Sequence, residues 1–407
     1  MSSFEYVSST KPVQSAGNKP ATSPPATSNH NTTGAFATML DKARQPAPSA
    51  KPPATRWRSL GFLATHSVPQ INWPWTYTNL NRAVQVASAG LQTLTDTVNS
   101  ITQADFPYNG PAMSLQDYPV PPGNNGRGIH WIPTVSQSPE TVDRFVKEAV
   151  EMGMKWVLLL NDGTDTGAND YLVKELTKVG IEPMMRIYTP GLVPIQGDLK
   201  ETVEHYKQLG VNYFQLYNEP NLMVETGGQY PDVERYLDLW VPAAKQVLEG
   251  GGLPGFGALS PQGEMDDRDY LKQSLQALKN RGEIDVLNRG WLAMHNYTGP
   301  RPLDDPDGFL RFRQYDAIIR SELGRQIPII GTEGGTHITE HVSEERQVEM
   351  VTNAYKYMEQ REPYNFAYTY WILANGHDPA WDEHALIRDS GPTALAQALK
   401  KMNSNAS

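Results

Sequence analysis

From Arg127 to Lys401, apolar strand-like runs alternate with stretches whose apolar positions recur every three or four residues. The runs Gly128–Pro133, Trp156–Asn161, Glu182–Tyr188, Tyr213–Tyr217, Gly255–Ser260, Trp291–Asn296, Ile327–Thr332 and Asn365–Trp371 predict strands. Between them the helical period predicts helices near Pro139–Met152, Asn169–Val179, Leu199–Leu209, Val233–Leu248, Asp269–Arg281, Gly308–Leu323, Glu344–Gln360 and Pro392–Lys401. In the first of these Val142, Phe145, Val146, Ala149 and Val150 share a face, Pro139 suits the first turn and Ser138 can cap it. Eight strand–helix units fit a (β/α)₈ TIM barrel, whose usual size is about 250 residues. A doubly wound sheet normally uses fewer strands, and its Gly-rich dinucleotide loop after the first strand is missing.

The first 126 residues lack this rhythm. Residues 1–55 are rich in Pro, Ser, Thr, Ala and Asn and are expected to be a disordered tail, having too little apolar surface to offset ordering entropy. Within 56–126, Leu80, Val84, Ala87, Leu91, Leu94, Val98 and Ile101 lie along one seam of a short helical segment. That seam, residues 80–101, is a candidate for self-association, although three heptads are short for a coiled coil. The Pro/Gly/Asn-dense stretch from Asp105 to Gly126 reads as a linker, leaving 127–402 as the barrel domain.

Composition narrows the partners. The chain carries 35 basic and 45 acidic residues, a net charge of −10, which argues against nucleic acid and anionic membrane surfaces. Neutral polymers such as polysaccharides make no such demand. The absence of cysteine excludes disulfides and thiolate metal sites. No ordinary signal peptide and no apolar run long enough for a membrane span is visible, so a soluble protein is expected, with cytoplasmic location or export by a non-standard route both open.

In such barrels the reactive residues sit at the C-terminal ends of the strands. Here those ends carry His130 and Trp131, Asn161 and Asp162, Arg186 and Tyr188, Asn218 and Glu219, Gln262, then His295, Asn296 and Tyr297, Glu333, and finally Trp371 and Asn375. Polar and aromatic side chains thus gather on one rim, with glutamates after strands four and seven. Breaking a glycosidic bond needs such a pair: one carboxylic acid protonates the departing oxygen, and one carboxylate attacks or shields the anomeric carbon. In retaining enzymes the two lie about 5–5.5 Å apart.

The motifs at these ends also resemble a known group. Tyr217-Asn218-Glu219-Pro220 looks like the Asn-Glu-Pro signature of clan A retaining glycoside hydrolases, the superfamily of many cellulases, mannanases and β-glucosidases. Thr332-Glu333-Gly334 resembles that clan's nucleophile position, His295-Asn296-Tyr297 its His-X-Tyr element and Trp371 its strand-eight tryptophan. The resemblance spans the barrel and implies Glu333 as nucleophile, with Tyr297 donating to it, and Glu219 as acid/base with a pKa raised by the neighbouring charge. It implies sugar-binding roles for Asn218, at the 2-hydroxyl, and for Trp371, and for His295 either the orienting of Glu219 or sugar binding. Arg186 is a further candidate, for substrate binding or for neutralising a rim carboxylate, but it follows strand three, whereas clan members often carry their arginine after strand two. Trp131, Tyr188 and Trp381 are candidates to extend the cleft.

No cofactor is implied. The expected activity is hydrolysis of β-linked glycosides or polysaccharides by double displacement; the alternative is a carbohydrate-binding barrel without turnover. Cellulose-like, mannan-like, other β-glucan and exopolysaccharide substrates, endo or exo attack, and transglycosylation stay open. His337-Ile338-Thr339-Glu340-His341 has the form of an inverted zinc-peptidase signature, but that chemistry needs both histidines one turn apart on a helix, and the next helix is expected only after Ser343. His377 and His384, in the loop after strand eight, are weaker metal candidates.

Overall fold

The apolar runs do become strands covered on both faces. The computed structural model describes residues 111–404 apart from Gln262. Eight parallel strands close in sequence order: β1 (Arg127–His130), β2 (Trp156–Asp162), β3 (Glu182–Tyr188), β4 (Tyr213–Leu216), β5 (Leu253–Leu259), β6 (Trp291–Tyr297), β7 (Ile329–Gly335) and β8 (Asn365–Tyr370). The circle is sealed by β8 pairing with β1. After each strand comes its helix: α1 (Pro139–Glu151), α2 (Asp170–Lys178), α3 (Leu199–Leu209), α4 (Val233–Glu249), α5 (Asp267–Asn280), α6 (Phe312–Leu323), α7 (Glu344–Met358) and α8 (Ala394–Ser404).

Local chemistry sets the helix ends. Ser138, Asp198, Asp232, Asp266 and Ser343 each accept a backbone N–H at the start of α1, α3, α4, α5 and α7, satisfying donors that the helix itself leaves free. Helix α3 stops at Gly210, whose φ of 115° is open only to a residue without a Cβ.

Side-chain alternation divides each strand between two cores. Along β2, Val157 and Leu159 pack outward under the helices. Trp156 and Leu158 pack instead with Met184, Tyr213, Trp291 and Phe366 in the lower barrel interior. Leu160, one step higher, joins Tyr188 and Trp371 under the mouth. The interior is therefore filled in layers, and only the top one is polar enough to carry chemistry.

The described end of the expected linker is not loose. Tyr118 is buried beneath the barrel, edge-on to Phe366, and its hydroxyl donates to the Gly290 carbonyl at 2.8 Å. Tyr213 donates to the Pro119 carbonyl at 2.6 Å and Trp156 Nε1 to Asn124 Oδ1 at 2.9 Å. Residues 111–126 thus seal the N-terminal end of the barrel, using the polar tips of the lower-layer aromatics. The tail (1–55), the seam at 80–101 and Gln262 lie outside the described residues. Among the described residues no helix is long and apolar enough to cross a membrane.

Candidate active site

Two local irregularities build the mouth. The first follows β4, where Tyr217 (φ 63°) and Glu219 (φ 36°) adopt the left-handed backbone that residues with a Cβ avoid. This turn breaks strand alternation. It is anchored by Glu219 N–H donating to the Ala258 carbonyl at 3.1 Å. Ala258 is itself an extra residue in β5, at φ 50°, because Gly257 and Leu259 pair with the consecutive Ala293 and Met294.

The second lies in β7. Met294 pairs with Gly331 and His295 with Glu333, so Thr332 is an extra residue. Ile330 packs inside the barrel, and strict alternation from it would send Glu333 outward. One inserted residue reverses that parity and sets Glu333 beside the inward-facing His295.

His295 joins the two carboxylates. Its Nδ1 lies 2.8 Å from Glu219 Oε1 and its Nε2 3.7 Å from Glu333 Oε1, so the glutamates flank a single imidazole. Glu333 has two further partners. The Tyr297 hydroxyl donates to Oε2 at 2.7 Å, and Arg186 Nη2 stands 2.6 Å from Oε1. The Arg186 contact is a close charge pair without aligned hydrogen bonding, since none of its three guanidinium nitrogens has a hydrogen-bond partner among the described residues.

The electrostatics follow from these contacts. Burial alone would raise the Glu333 pKa, but the electrostatic influence of His295 and then of the Arg186 guanidinium, helped by the Tyr297 hydrogen bond, holds it well below the ordinary carboxylate range. Glu333 is therefore an anion at neutral pH. Burial, then the Glu333 charge, pushes the Tyr297 hydroxyl well up, so it stays a donor. His130 is driven down to about 3, first by burial and then by Arg186, and is neutral. Its Nδ1, 2.9 Å from the Trp131 carbonyl, carries the proton, which leaves a buried, unpartnered Nε2 as an acceptor at the mouth.

The remaining sequence candidates divide. Asn218 is half-buried beside Glu219; its Nδ2 donates to Glu225 Oε1 at 3.0 Å while its Oδ1 has no partner. Trp371 packs edge-on against His130 at 4.2 Å between ring centroids, with Trp381 against it at 5.5 Å. Tyr188 joins the same cluster, in which Trp381 is also buried. Trp131 does not reach the mouth at all. It is fully buried against Phe145 of α1, and its Nε1 donates to Gln137. The reason is parity: His130 faces inward, so its neighbour faces the helices.

The histidine pair of the zinc-like motif separates. His337 is held at the Trp371 carbonyl (Nε2 to O, 2.8 Å), whereas His341 is exposed beside Glu340. Between them Thr339 and Val342 pair across a tight turn, and α7 begins only after Ser343, so the two imidazoles do not share a helical face. In the loop after β8, His377 is exposed against Asp389, while His384 packs on His337. Glu225 was not singled out as a site residue by the sequence. Glu225 belongs to no motif, and only packing brings it to the rim.

Fold and site together define a (β/α)₈ barrel with a paired-carboxylate centre at its C-terminal mouth. No family model and no curated protein sequence matches the chain. Among solved structures it is similar to a GH39 β-xylosidase from Caulobacter crescentus, with a TM-score of 0.50, 16% identity, and coverage of 71% of this chain and 73% of that one. It is likewise similar to a GH128 (subgroup II) endo-β-1,3-glucanase from Pseudomonas viridiflava, with a TM-score of 0.50, 18% identity, and coverage of 68% and 97%. At such identity the likeness is one of fold alone, the closed (β/α)₈ barrel.

Proposed function

We propose that this chain is a retaining glycoside hydrolase of clan A that cleaves β-linked glycosides or polysaccharides by double displacement. The observation that carries the reading is the asymmetry of the pair. Two glutamates flank His295, and Glu333 also has the Arg186 guanidinium and the Tyr297 hydroxyl against it. A group held anionic and partly desolvated suits a nucleophile, and its partner suits the acid/base role.

In the first step the Glu219 proton passes to the glycosidic oxygen, the C1–O bond breaks and the alcohol departs. Glu333 bonds to C1, giving a glycosyl ester. With Glu333 now neutral, Glu219 takes a proton from water as that water attacks C1. The sugar is released with its anomeric configuration retained, and both carboxyls return to their starting states. Asn218 and the His130 Nε2 acceptor are placed to hold ring hydroxyls, Arg186 offers unpartnered N–H groups, and Trp371 supplies an apolar surface at the rim. No cofactor enters these steps.

The test is reducing-sugar release from a panel of β-linked polysaccharides and aryl β-glycosides by wild type, Glu219→Ala and Glu333→Ala. Each substitution is expected to reduce the rate about a thousandfold or more, the scale of losing a principal catalytic group. Proton NMR of the first product should show the retained anomer. Near-full activity in either variant sinks the assignment. Polymer binding without cleavage by the wild type favours a non-catalytic barrel instead.

A further inference from the structure

A third carboxylate stands beside the pair, in the loop after β4. The backbone of Glu225 is clamped from the neighbouring loop: Leu192 N–H donates to its carbonyl at 2.8 Å. Gly191 (φ 94°) approaches so closely that an added Cβ would lie 2.7 Å from that same oxygen. The position of Glu225 is thus set by main chain, and its side chain is free to serve another purpose.

That side chain meets Asn218. A primary amide can be turned over by 180° about its last torsion, exchanging donor and acceptor. With Glu225 Oε1 unprotonated and accepting from Asn218 Nδ2 at 3.0 Å, one orientation is selected, because the other would oppose two acceptor oxygens. The selected one leaves Asn218 Oδ1 buried and without a partner. A buried, unpaired carbonyl oxygen is unfavourable until a donor arrives. Asn218 immediately precedes Glu219, and both neighbours of its backbone are locked at left-handed φ, so the amide hangs from a fixed base.

We infer that Glu225 is a positioning residue: it orients the Asn218 amide so that Oδ1 is presented as an acceptor to the sugar hydroxyl next to the anomeric carbon. This rests on the glycosidase reading above. Burial, and then the charge of Glu219, pushes the Glu225 carboxyl up to about 8, so near neutral pH it is uncharged, with its proton on Oε2 because Oε1 accepts from Asn218. Its carbonyl oxygen still accepts from Asn218, and no third negative charge is added beside Glu219 and Glu333.

The experiment takes the aryl β-glycoside that wild type cleaves fastest, from a panel of 4-nitrophenyl β-glucoside, β-xyloside, β-mannoside and β-laminaribioside, together with its 2-deoxy counterpart. Glu225→Met keeps the length and removes the acceptor; Glu225→Gln keeps the acceptor. Glu225→Met is expected to lower kcat/KM about tenfold on the 2-hydroxy substrate, mostly in kcat, because this contact strengthens in the transition state. It should leave the 2-deoxy rate nearly unchanged, so the 2-hydroxy/2-deoxy ratio shrinks by the same tenfold factor. Glu225→Gln restores most of the rate, and Asn218→Ala/Glu225→Met is no worse than Asn218→Ala alone. Equal losses on both substrates, or a Glu225→Gln variant as slow as Glu225→Met, overturns the inference while leaving the glycosidase reading intact. If Glu225→Met does not fold, Glu225→Ala is measured in its place. Failure of the wild type to cleave any member of the panel removes the glycosidase reading and this inference together.

Discussion

Replacing Tyr297 by Phe removes a single oxygen from the site and keeps the ring that packs near His295 and His337. The lost contact is the 2.7 Å hydrogen bond to Glu333 Oε2. A hydrogen bond to a charged group contributes about 1.5–3 kcal/mol net, and about 1.4 kcal/mol corresponds to one pKa unit. The Glu333 pKa should therefore rise by about one to two units and still lie below neutrality, because His295 and Arg186 remain. In the proposed mechanism its ionised form is the reactive one, so activity should be lost as pH falls through that pKa. The assay is kcat/KM against pH on a cleaved aryl β-glycoside, whose acid limb reports the free enzyme's essential base. In Tyr297→Phe that limb should move upward by about one to two pH units, with the alkaline limb in place. A uniform drop in rate with an unmoved acid limb would refute the claim that Tyr297 tunes Glu333. A shift confined to the alkaline limb would show that it acts on Glu219 instead.

The same linkage has a stability counterpart. Glu333, depressed in the folded state, contributes stability above the ordinary carboxylate range, and that contribution disappears as pH falls through its lower folded value. In Arg186→Met the folded value rises toward the unfolded one, so urea midpoints measured across acidic pH should change less steeply than in wild type; parallel profiles would count against the pairing. Trp131→Ala should lower the unfolding free energy by about 3–5 kcal/mol, as large buried aromatics do, while the KM of the folded enzyme stays unchanged. A raised KM at unchanged stability would return Trp131 to the cleft. Tyr118→Ala, which opens the lower end of the barrel, should cost about 3 kcal/mol or more by the same measure without altering the pH profile; a wild-type unfolding midpoint would mean the seal is not structural.

Much of this architecture was legible because a barrel strand must be apolar on both faces and a capped amphipathic helix must follow it. All eight units fall where periodicity places them, and the capping roles of Ser138 and Ser343 were readable from residue type alone. What escaped the sequence is parity. Adjacent residues on a regular strand cannot both face the mouth, which is why Trp131 turns away once His130 turns in. Yet Asn218 and Glu219 are consecutive and both reach the rim, because the left-handed turn suspends the rule. Glu333 reaches it because Thr332 shifts the register by one. Such backbone departures depend on neighbouring strands, and no local propensity announces them. Glu225 escaped for a similar reason: the loop after β3 fixes its place, not anything in its own vicinity of the chain.

The sealed lower end also settles how the molecule presents itself. Residues 111–126 enter at that end, and Asn403, near the close of α8, donates to the Val150 and Glu151 carbonyls where α1 finishes, on the same side. Both strand and helix directions then place the carboxylate pair at the opposite pole. A tether attached directly at residue 111 or residue 404 would hold the barrel by the end opposite the mouth. If the proposed activity on a long polymer holds, that polarity would let the chain be tethered without occluding the approach of the substrate.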